Sequence, residues 1–144
     1  MSVDDNKAVI LRYFEVLNDG THEYHRVVHP DVTGSDGEEP LRGIETFVRM
    51  GQAFRAAVPD LRFAVDQILA EGEWVAVLVT ATGTPQAPLW GVPPAGKSFR
   101  ITAQAMYRVE RGLIRQVISV WDTLSMLQQL GASQPFPAVV RTAP

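Results

Sequence analysis

The sequence contains no cysteine, no long apolar run and no excess of basic residues. Without cysteine the chain cannot form disulfide bonds or thiolate metal sites. Its net charge is −3, whereas a protein that binds nucleic acid usually carries a basic surface that offsets the phosphates. No stretch is long and apolar enough to span a bilayer, and residues 1–7 lack the apolar core of a signal peptide. We therefore expect a cytoplasmic protein that binds neither nucleic acid nor a membrane.

The first part of the sequence is typical of helices. Its 144 residues, 46% of them hydrophobic and 20% charged, suit one soluble domain. Ile10, Phe14 and Leu17 recur at helical spacing after Asp and Asn residues that can cap a helix, which predicts a helix ending near Gly20. Helical segments are also predicted at residues 21–28 and 44–57. The Gly- and acid-rich stretch 31–40 between them predicts a loop around a short strand.

The second part alternates with the period of strands. Long strands are predicted from residue 61, at 74–84, at 99–109 and at 113–121, followed by a short helix at 123–130. Helices followed by meandering strands indicate an α+β domain, with a curved antiparallel sheet and helices that cover its concave face. The domain is predicted to span residues 1–132 and to enclose a pocket, and residues 133–144 form a proline-rich tail.

The turn at Arg111-Gly112 predicts which side chains line that pocket. A two- or four-residue loop pairs Val109 with Ile114, and opposed residues share a face. The apolar face, expected to look inward, then carries Ile101, Ala103, Ala105, Tyr107, Gln116, Ile118, Val120 and Asp122. Its two alanines leave room for a ligand. A three-residue loop would shift this register.

Further ligand contacts and an interface are expected around this face. Tyr13, Phe54 and Trp74 are the aromatic candidates for contacts to a ligand, although such residues are more often part of a core. The opposite sheet face is more polar, with Met106, Val117 and Trp121 among arginines, and is the candidate interface of a homodimer.

Asp122 has two interpretations. At the end of an apolar strand face, its carboxyl group would suit general acid or base catalysis. It also directly precedes the helix predicted at 123–130, and aspartate is a preferred N-cap residue. The spacing leaves both roles open.

Two other motifs favour ordinary structural roles. Residues 91–98, GVPPAGKS, match the phosphate-loop pattern, but two prolines remove backbone donors and a strand follows instead of a helix. We therefore expect no nucleotide site. His22, His25 and His29 could share a helix face, yet no further ligand is evident, so no metal site is expected.

Several strings resemble one family over residues 7–131. They are VPDL at 58–61, AEGEWVAV at 70–77, TATGT at 80–84, GVPPAGK at 91–97 and LQQLG at 127–131. In this order they resemble the SnoaL-like polyketide cyclases, also called the ester cyclase family. The resemblance implies the NTF2-like cone fold, a homodimer, an apolar polyketide substrate and a cofactor-independent aldol closure, with Asp122 as the acid or base.

Three positions depart from the family pattern. Gln116, Ile118 and Pro85 stand where the family commonly has Glu, Trp and His. A less ionisable site suggests a closure that depends on shape, such as a pericyclic 4+2 closure or an epoxide-opening ether closure. Two alternatives stay open. One is a non-catalytic small-molecule-binding or dimerisation module. The other is an epoxide hydrolase, which would need Asp66 and Arg100 beside Asp122, although these two are expected to form a surface ion pair.

Overall fold

The structure is a computed structural model that describes residues 1–35 and 40–132. The predicted tail, 133–144, lies outside the described residues. Three α-helices occur within them: α1 (Val3–Asp19), α2 (Ile44–Ala57) and α3 (Thr123–Gln129). The six described strands are β1 (Val28–Ser35), β2 (Pro40–Arg42), β3 (Arg62–Glu71), β4 (Trp74–Gly83), β5 (Phe99–Glu110) and β6 (Leu113–Trp121). They form one curved, unclosed sheet in the order β2-β1-β6-β5-β4-β3, which confirms the α+β fold class.

The helix α1 begins one turn earlier than its acidic residues suggest. Ser2 is the N-cap: its hydroxyl accepts from the Asp5 backbone N–H at 3.0 Å, and the Asp5 carboxylate accepts from the Ser2 N–H at 2.9 Å. The hydrogen bonds that this carboxylate accepts from the Ser2 N–H and the Ser2 hydroxyl lower the pKa of Asp5. The helix ends at Gly20, whose φ of 71° is left-handed. Its apolar side, including Val9, Ile10 and Phe14, is buried against the sheet.

The prediction of a helix at residues 21–28 is wrong. Only Tyr24–Arg26 form a short 3-10 turn, and Val28 already begins β1. Val28 and Val32 are fully buried, and β1 runs parallel to β6. The sheet is therefore mixed rather than purely antiparallel. A β-branched stretch that pairs with a strand distant in sequence favours extended backbone over the helical spacing of its histidines.

The predicted pairing of β5 with β6 is right at the turn and wrong beyond it. Val109 pairs with Ile114 as predicted, but Arg108 pairs with Gln116, so Arg115 is an extra residue in β6. This β-bulge moves every later residue of β6 to the other face. On β5 the predicted inner residues are buried. On β6 the inner residues are Val117, Ser119 and Trp121, whereas Gln116, Ile118 and Val120 lie on the outer face.

The core lies between the inner sheet face and the helices α1 and α2. Asn18, near the end of α1, closes one side of it: its amide donates to the Phe63 carbonyl at 2.9 Å and accepts from the Phe63 N–H at 2.7 Å. This pair of hydrogen bonds ties α1 to the start of β3. No helix in the described part of the chain is long and apolar enough to cross a membrane.

Candidate functional site

A cavity of about 250 Å³ opens between α1, α2 and the inner face of the sheet. Small side chains at the middle of the sheet create the space. Ala105 of β5 pairs with Ser119 of β6, and Ala103 pairs with Trp121. The predicted contacts Ala103, Ala105 and Tyr107 all line the cavity. The room left by two alanines thus lies where the sequence placed it, although their partners on β6 differ from the predicted ones.

Aromatic rings form much of the cavity wall. The Trp121 ring lies 5.7 Å from the rings of both Phe54 and Phe63, and Phe54 also contacts Trp90 edge to face. On the opposite side the Tyr13 ring packs 5.5 Å from that of Tyr107. Such contacts hold the rings in fixed orientations, so the wall of the cavity has a defined shape.

The described lining carries few ionisable groups. They are His22, Arg55 and all three tyrosines of the chain, Tyr13, Tyr24 and Tyr107. No Asp or Glu side chain among the described residues lines the cavity. A ligand therefore meets mainly apolar walls and a small number of polar groups, which is the usual composition of a small-molecule site.

The tyrosines are held in their neutral, hydrogen-bond-donating form. Burial raises the pKa of Tyr13 and of Tyr107 well above 10, and raises the pKa of Tyr24 to about 12. The Tyr13 value is raised further by its proximity to Tyr107 and Tyr24. Each hydroxyl can donate a hydrogen bond to a substrate oxygen, and none can act as a base at neutral pH.

Arg55 is fixed at the edge of the cavity by the main chain. Its guanidinium donates to the carbonyls of Leu17, Leu61 and Pro59. These contacts hold the end of α1 and the loop before β3 against α2. Arg55 therefore stabilises the fold, and backbone carbonyls close to the cavity accept the hydrogen bonds of its charged guanidinium.

Asp122 lies in the capping position and not in the cavity. Its side chain is exposed, and Oδ1 accepts from the Ser125 backbone N–H at 3.1 Å, at the start of α3. The expectation that Asp122 shares the inward face is therefore wrong. The bulge at Arg115 is the reason, because it brings Trp121 to the inner face, and the chain leaves the strand at Asp122.

The other predicted contacts divide between the two faces. Tyr13 and Phe54 line the cavity. Gln116 and Ile118 are on the outer face for the reason given above. Trp74 pairs with Arg108 next to the inward pair Val75 and Tyr107, so it also lies outside.

The three histidines and the Asp66, Arg100 and Asp122 grouping of an epoxide hydrolase are not assembled into sites within the described part of the chain. His22, His25 and His29 form no three-ligand cluster there. Asp66 accepts a hydrogen bond from the Thr80 hydroxyl at 2.6 Å and forms none of the ion pairs found among the described residues, so the expected pair with Arg100 is wrong. Neither Asp66 nor Arg100 lines the cavity.

His22 is a polar residue of the cavity that the sequence pattern did not predict as a site residue. Its spacing suggested only a metal ligand on a helix face, yet it lines the cavity beside Tyr24. No local pattern of the sequence indicates this contact, because it depends on α2, which the fold brings beside His22.

A family model described as the SnoaL-like polyketide cyclase family matches residues 7–130. The chain belongs to this family. Membership covers the helices, the sheet and the whole described cavity. The search of curated proteins found no match.

Solved structures resemble this SnoaL-like domain along almost its full length. TsrD from Streptomyces laurentii has a TM-score of 0.83 at 23% identity, covering 92% of this chain and 98% of its own. IdmH from Streptomyces antibioticus, named as a candidate polyketide cyclase, has 0.78 at 30% identity, with 88% and 99% covered. AclR from Streptomyces galilaeus, named as a candidate hydroxylase, has 0.78 at 25%, with 90% and 98% covered. The fold is thus shared by proteins given different activities.

Proposed function

We propose that this protein is a cofactor-independent cyclase that closes a ring in an apolar polyketide intermediate of natural-product biosynthesis. The closure depends on the shape of the cavity and is not driven by proton abstraction at Asp122. A 4+2 cycloaddition or the opening of an epoxide by a hydroxyl group of the same substrate fits this description. The observation that carries the proposal is the aromatic cavity over Ala103 and Ala105, whose described lining has no carboxylate.

The energetic contribution of such a site is mainly one of conformation. Orienting two separate reactants can lower a barrier by about 7–11 kcal/mol, and a substrate whose reacting ends already share one chain gains the part of this that comes from fixing its conformation. In a 4+2 closure two carbon–carbon σ bonds replace two π bonds, and no atom is lost or gained. In an epoxide opening the hydroxyl proton ends on the alkoxide that forms. A neutral tyrosine hydroxyl can stabilise the alkoxide oxygen that forms in an epoxide opening, and in a 4+2 closure it can polarise a carbonyl conjugated to the reacting double bond.

The cavity also supports a cyclase over a non-catalytic binding module. A cavity blocked by Trp74, Phe99 or Met106 would favour the module. None of the three lines it: Trp74 and Met106 lie on the outer face, and Phe99 is buried against Gly83. The open space is therefore available to a substrate.

We also propose that the protein acts as a homodimer that buries the outer face of the sheet. The interface expected from the sequence included Val117 and Trp121, and this is wrong because both face the cavity. The outer face instead exposes four large apolar side chains, Leu69, Met106, Ile118 and Val120. An exposed apolar patch of this kind is typical of a protein–protein interface.

Turnover of the linear precursor tests the cyclase proposal. The precursor would be isolated from a producing strain that lacks the gene and then incubated with purified protein. Ala105→Leu fills space on the sheet side of the cavity and displaces the substrate from its reactive position. We expect turnover to fall about tenfold or more, because small displacements of a bound reactant cause losses of that size. Ala64→Leu is the matched control, since Ala64 is exposed on β3. Unchanged turnover by Ala105→Leu would contradict the proposal.

A further inference from the structure

His22 has a strained backbone and an unpaired buried nitrogen. Its φ is 58°, in the left-handed region that non-glycine residues rarely adopt. The Tyr24 N–H holds this conformation by donating to the His22 carbonyl at 2.9 Å. Among the described residues, His22 Nδ1 is the one fully buried side-chain nitrogen or oxygen without a hydrogen-bond partner. A buried polar atom without a partner is unfavourable, and a bound ligand at a functional site is one reason for a fold to keep it.

Tyr24 and His22 meet α2 at the same point. A Cβ atom at Gly51 would lie 2.9 Å from the Tyr24 hydroxyl oxygen and 3.6 Å from His22 Nδ1. A side chain at position 51 would come closer to the Tyr24 oxygen than Cβ atoms approach other atoms, so Tyr24 and His22 pack directly against the helix backbone there. Glycine is unfavourable inside a helix, so its presence here indicates this packing requirement. His22, Tyr24 and Gly51 all line the cavity.

We propose that His22 Nδ1 and the Tyr24 hydroxyl together bind a carbonyl oxygen of the substrate at the cavity wall beside Gly51, after a small rotation of the imidazole that exposes Nδ1 to the cavity. The inference rests on the proposed function, because it assumes that the cavity holds the polyketide. In the tautomer with a proton on Nδ1, both groups donate to one oxygen. Two donors would orient the chain in the cavity and polarise a carbonyl conjugated to the reacting double bond.

The nature of the neighbouring groups agrees with a carbonyl rather than a carboxylate ligand. Burial raises the pKa of Tyr24 to about 12, so its hydroxyl is neutral and donates a hydrogen bond. The charge of Arg55 is largely satisfied by main-chain carbonyls, as described above. Asp19, an acid whose charge acts on both His22 and Tyr24, accepts from the Thr21 N–H at 2.8 Å, and that bond lowers its pKa. A negatively charged ligand group would meet this carboxylate, whereas a neutral carbonyl would not be repelled.

A matched pair of probes tests the inference. The ketone 1-tetralone and the hydrocarbon tetralin have nearly the same shape and differ by one carbonyl group. Binding is measured by the fluorescence of Trp90 and Trp121, which line the cavity. Asparagine tolerates a positive φ, so His22→Asn removes the imidazole with little further strain. We expect His22→Asn and Tyr24→Phe each to weaken 1-tetralone about fivefold to tenfold, the value of one hydrogen bond, and to leave tetralin unchanged.

The controls separate the inference from the proposed function. His25→Asn makes the same change at an exposed histidine and should leave both affinities unchanged. Equal effects of His22→Asn on the two probes, or no effect, would overturn the inference while the cavity still binds. Failure of wild-type protein to bind either probe would overturn the proposed function as well.

A measurement on wild-type protein covers the case in which a variant does not fold. The ¹⁵N chemical shift of His22 Nδ1 should move when 1-tetralone is added and stay in place with tetralin. The shifts of His25 and His29 should be the same with both probes. If His22 responds equally to both probes, its nitrogen does not contact the carbonyl and the inference is wrong.

Discussion

Replacing Asp122 separates the two roles that its sequence position allows. The structure gives its side chain one hydrogen bond, the 3.1 Å contact from the Ser125 N–H at the start of α3. Replacing an N-cap side chain by alanine costs about 1 kcal/mol, whereas asparagine can still accept that bond and caps about as well as aspartate. For a chain of this size, 1 kcal/mol corresponds to a fall in Tm of about 2–4 °C. We expect that fall for Asp122→Ala and almost none for Asp122→Asn.

The rest of α3 explains why the expected loss is small. Met126 is fully buried and Leu130 is 6% exposed, so packing holds the helix to the domain. The Gln129 side chain also bonds the main chain of Arg100, accepting from its N–H at 2.8 Å and donating to its carbonyl at 3.0 Å. Removing one cap therefore leaves α3 in place and the cavity intact.

Thermal unfolding and turnover of the linear precursor are measured on the same preparations. Because the carboxylate lies outside the cavity, both Asp122 variants should turn over within about twofold of wild type at temperatures where they are folded. A general acid or base contributes about 10²–10⁴-fold to a rate. A loss of that size in Asp122→Asn, with an unchanged Tm, would refute the reasoning and restore the aldol mechanism.

Three other features have measurable consequences. Gly83→Ala puts a Cβ 2.3 Å from Val58 Cγ1 in the core, so the free energy of unfolding in urea should fall by about 3 kcal/mol. Adding Val58→Ala should recover part of the lost free energy. If Gly83→Ala alone were as stable as wild type, the close packing of Gly83 against Val58 would be contradicted. Because burial raises every tyrosine pKa, that of Tyr24 to about 12, no tyrosine should ionise near pH 10 while the protein is folded. The neutral form is favoured in the fold, so stability should be full below pH 10 and fall as the pH rises above it. An ultraviolet titration step near pH 10 in folded protein would disprove this. Ile118→Glu with Val120→Glu should convert the proposed dimer to a monomer in sedimentation, and a monomeric wild type would reject the interface.

The strand pattern of the sequence was sufficient for the α+β class, for the four long strands and for the inward residues of β5, but not for the parallel pairing of β1 with β6. The alternation in β5 predicted correctly that Ala103, Ala105 and Tyr107 face inward, because a strand's two faces follow from its own residues. The small side chains of the two alanines on the inner face also predicted where the cavity would lie. The helical spacing of apolar residues in α1 and in α2 likewise predicts which side of each helix is buried, and Tyr13 and Phe54 lie on those sides.

The remainder depended on contacts that a local pattern does not contain. The bulge at Arg115 accompanies hydrogen bonding of its guanidinium to the Asp31 carbonyl of β1, a strand far away in sequence. A count from the turn at Arg111 assumes regular pairing and places Ile118 inward. The role of His22 depends in turn on Gly51, which the fold brings beside it. Both errors therefore involve tertiary neighbours, and for His22 the helical spacing of the three histidines was misleading as well.

The central claim is that the substrate lies on the inner face over β5, between the sheet and the two long helices. Intermolecular nuclear Overhauser effects from bound 1-tetralone to the methyl groups of Ala103 and Ala105 test it most directly. The account predicts strong effects to these two methyl groups and to Val117. Effects confined to Ile118, Val120 and Met106 on the outer face would contradict it.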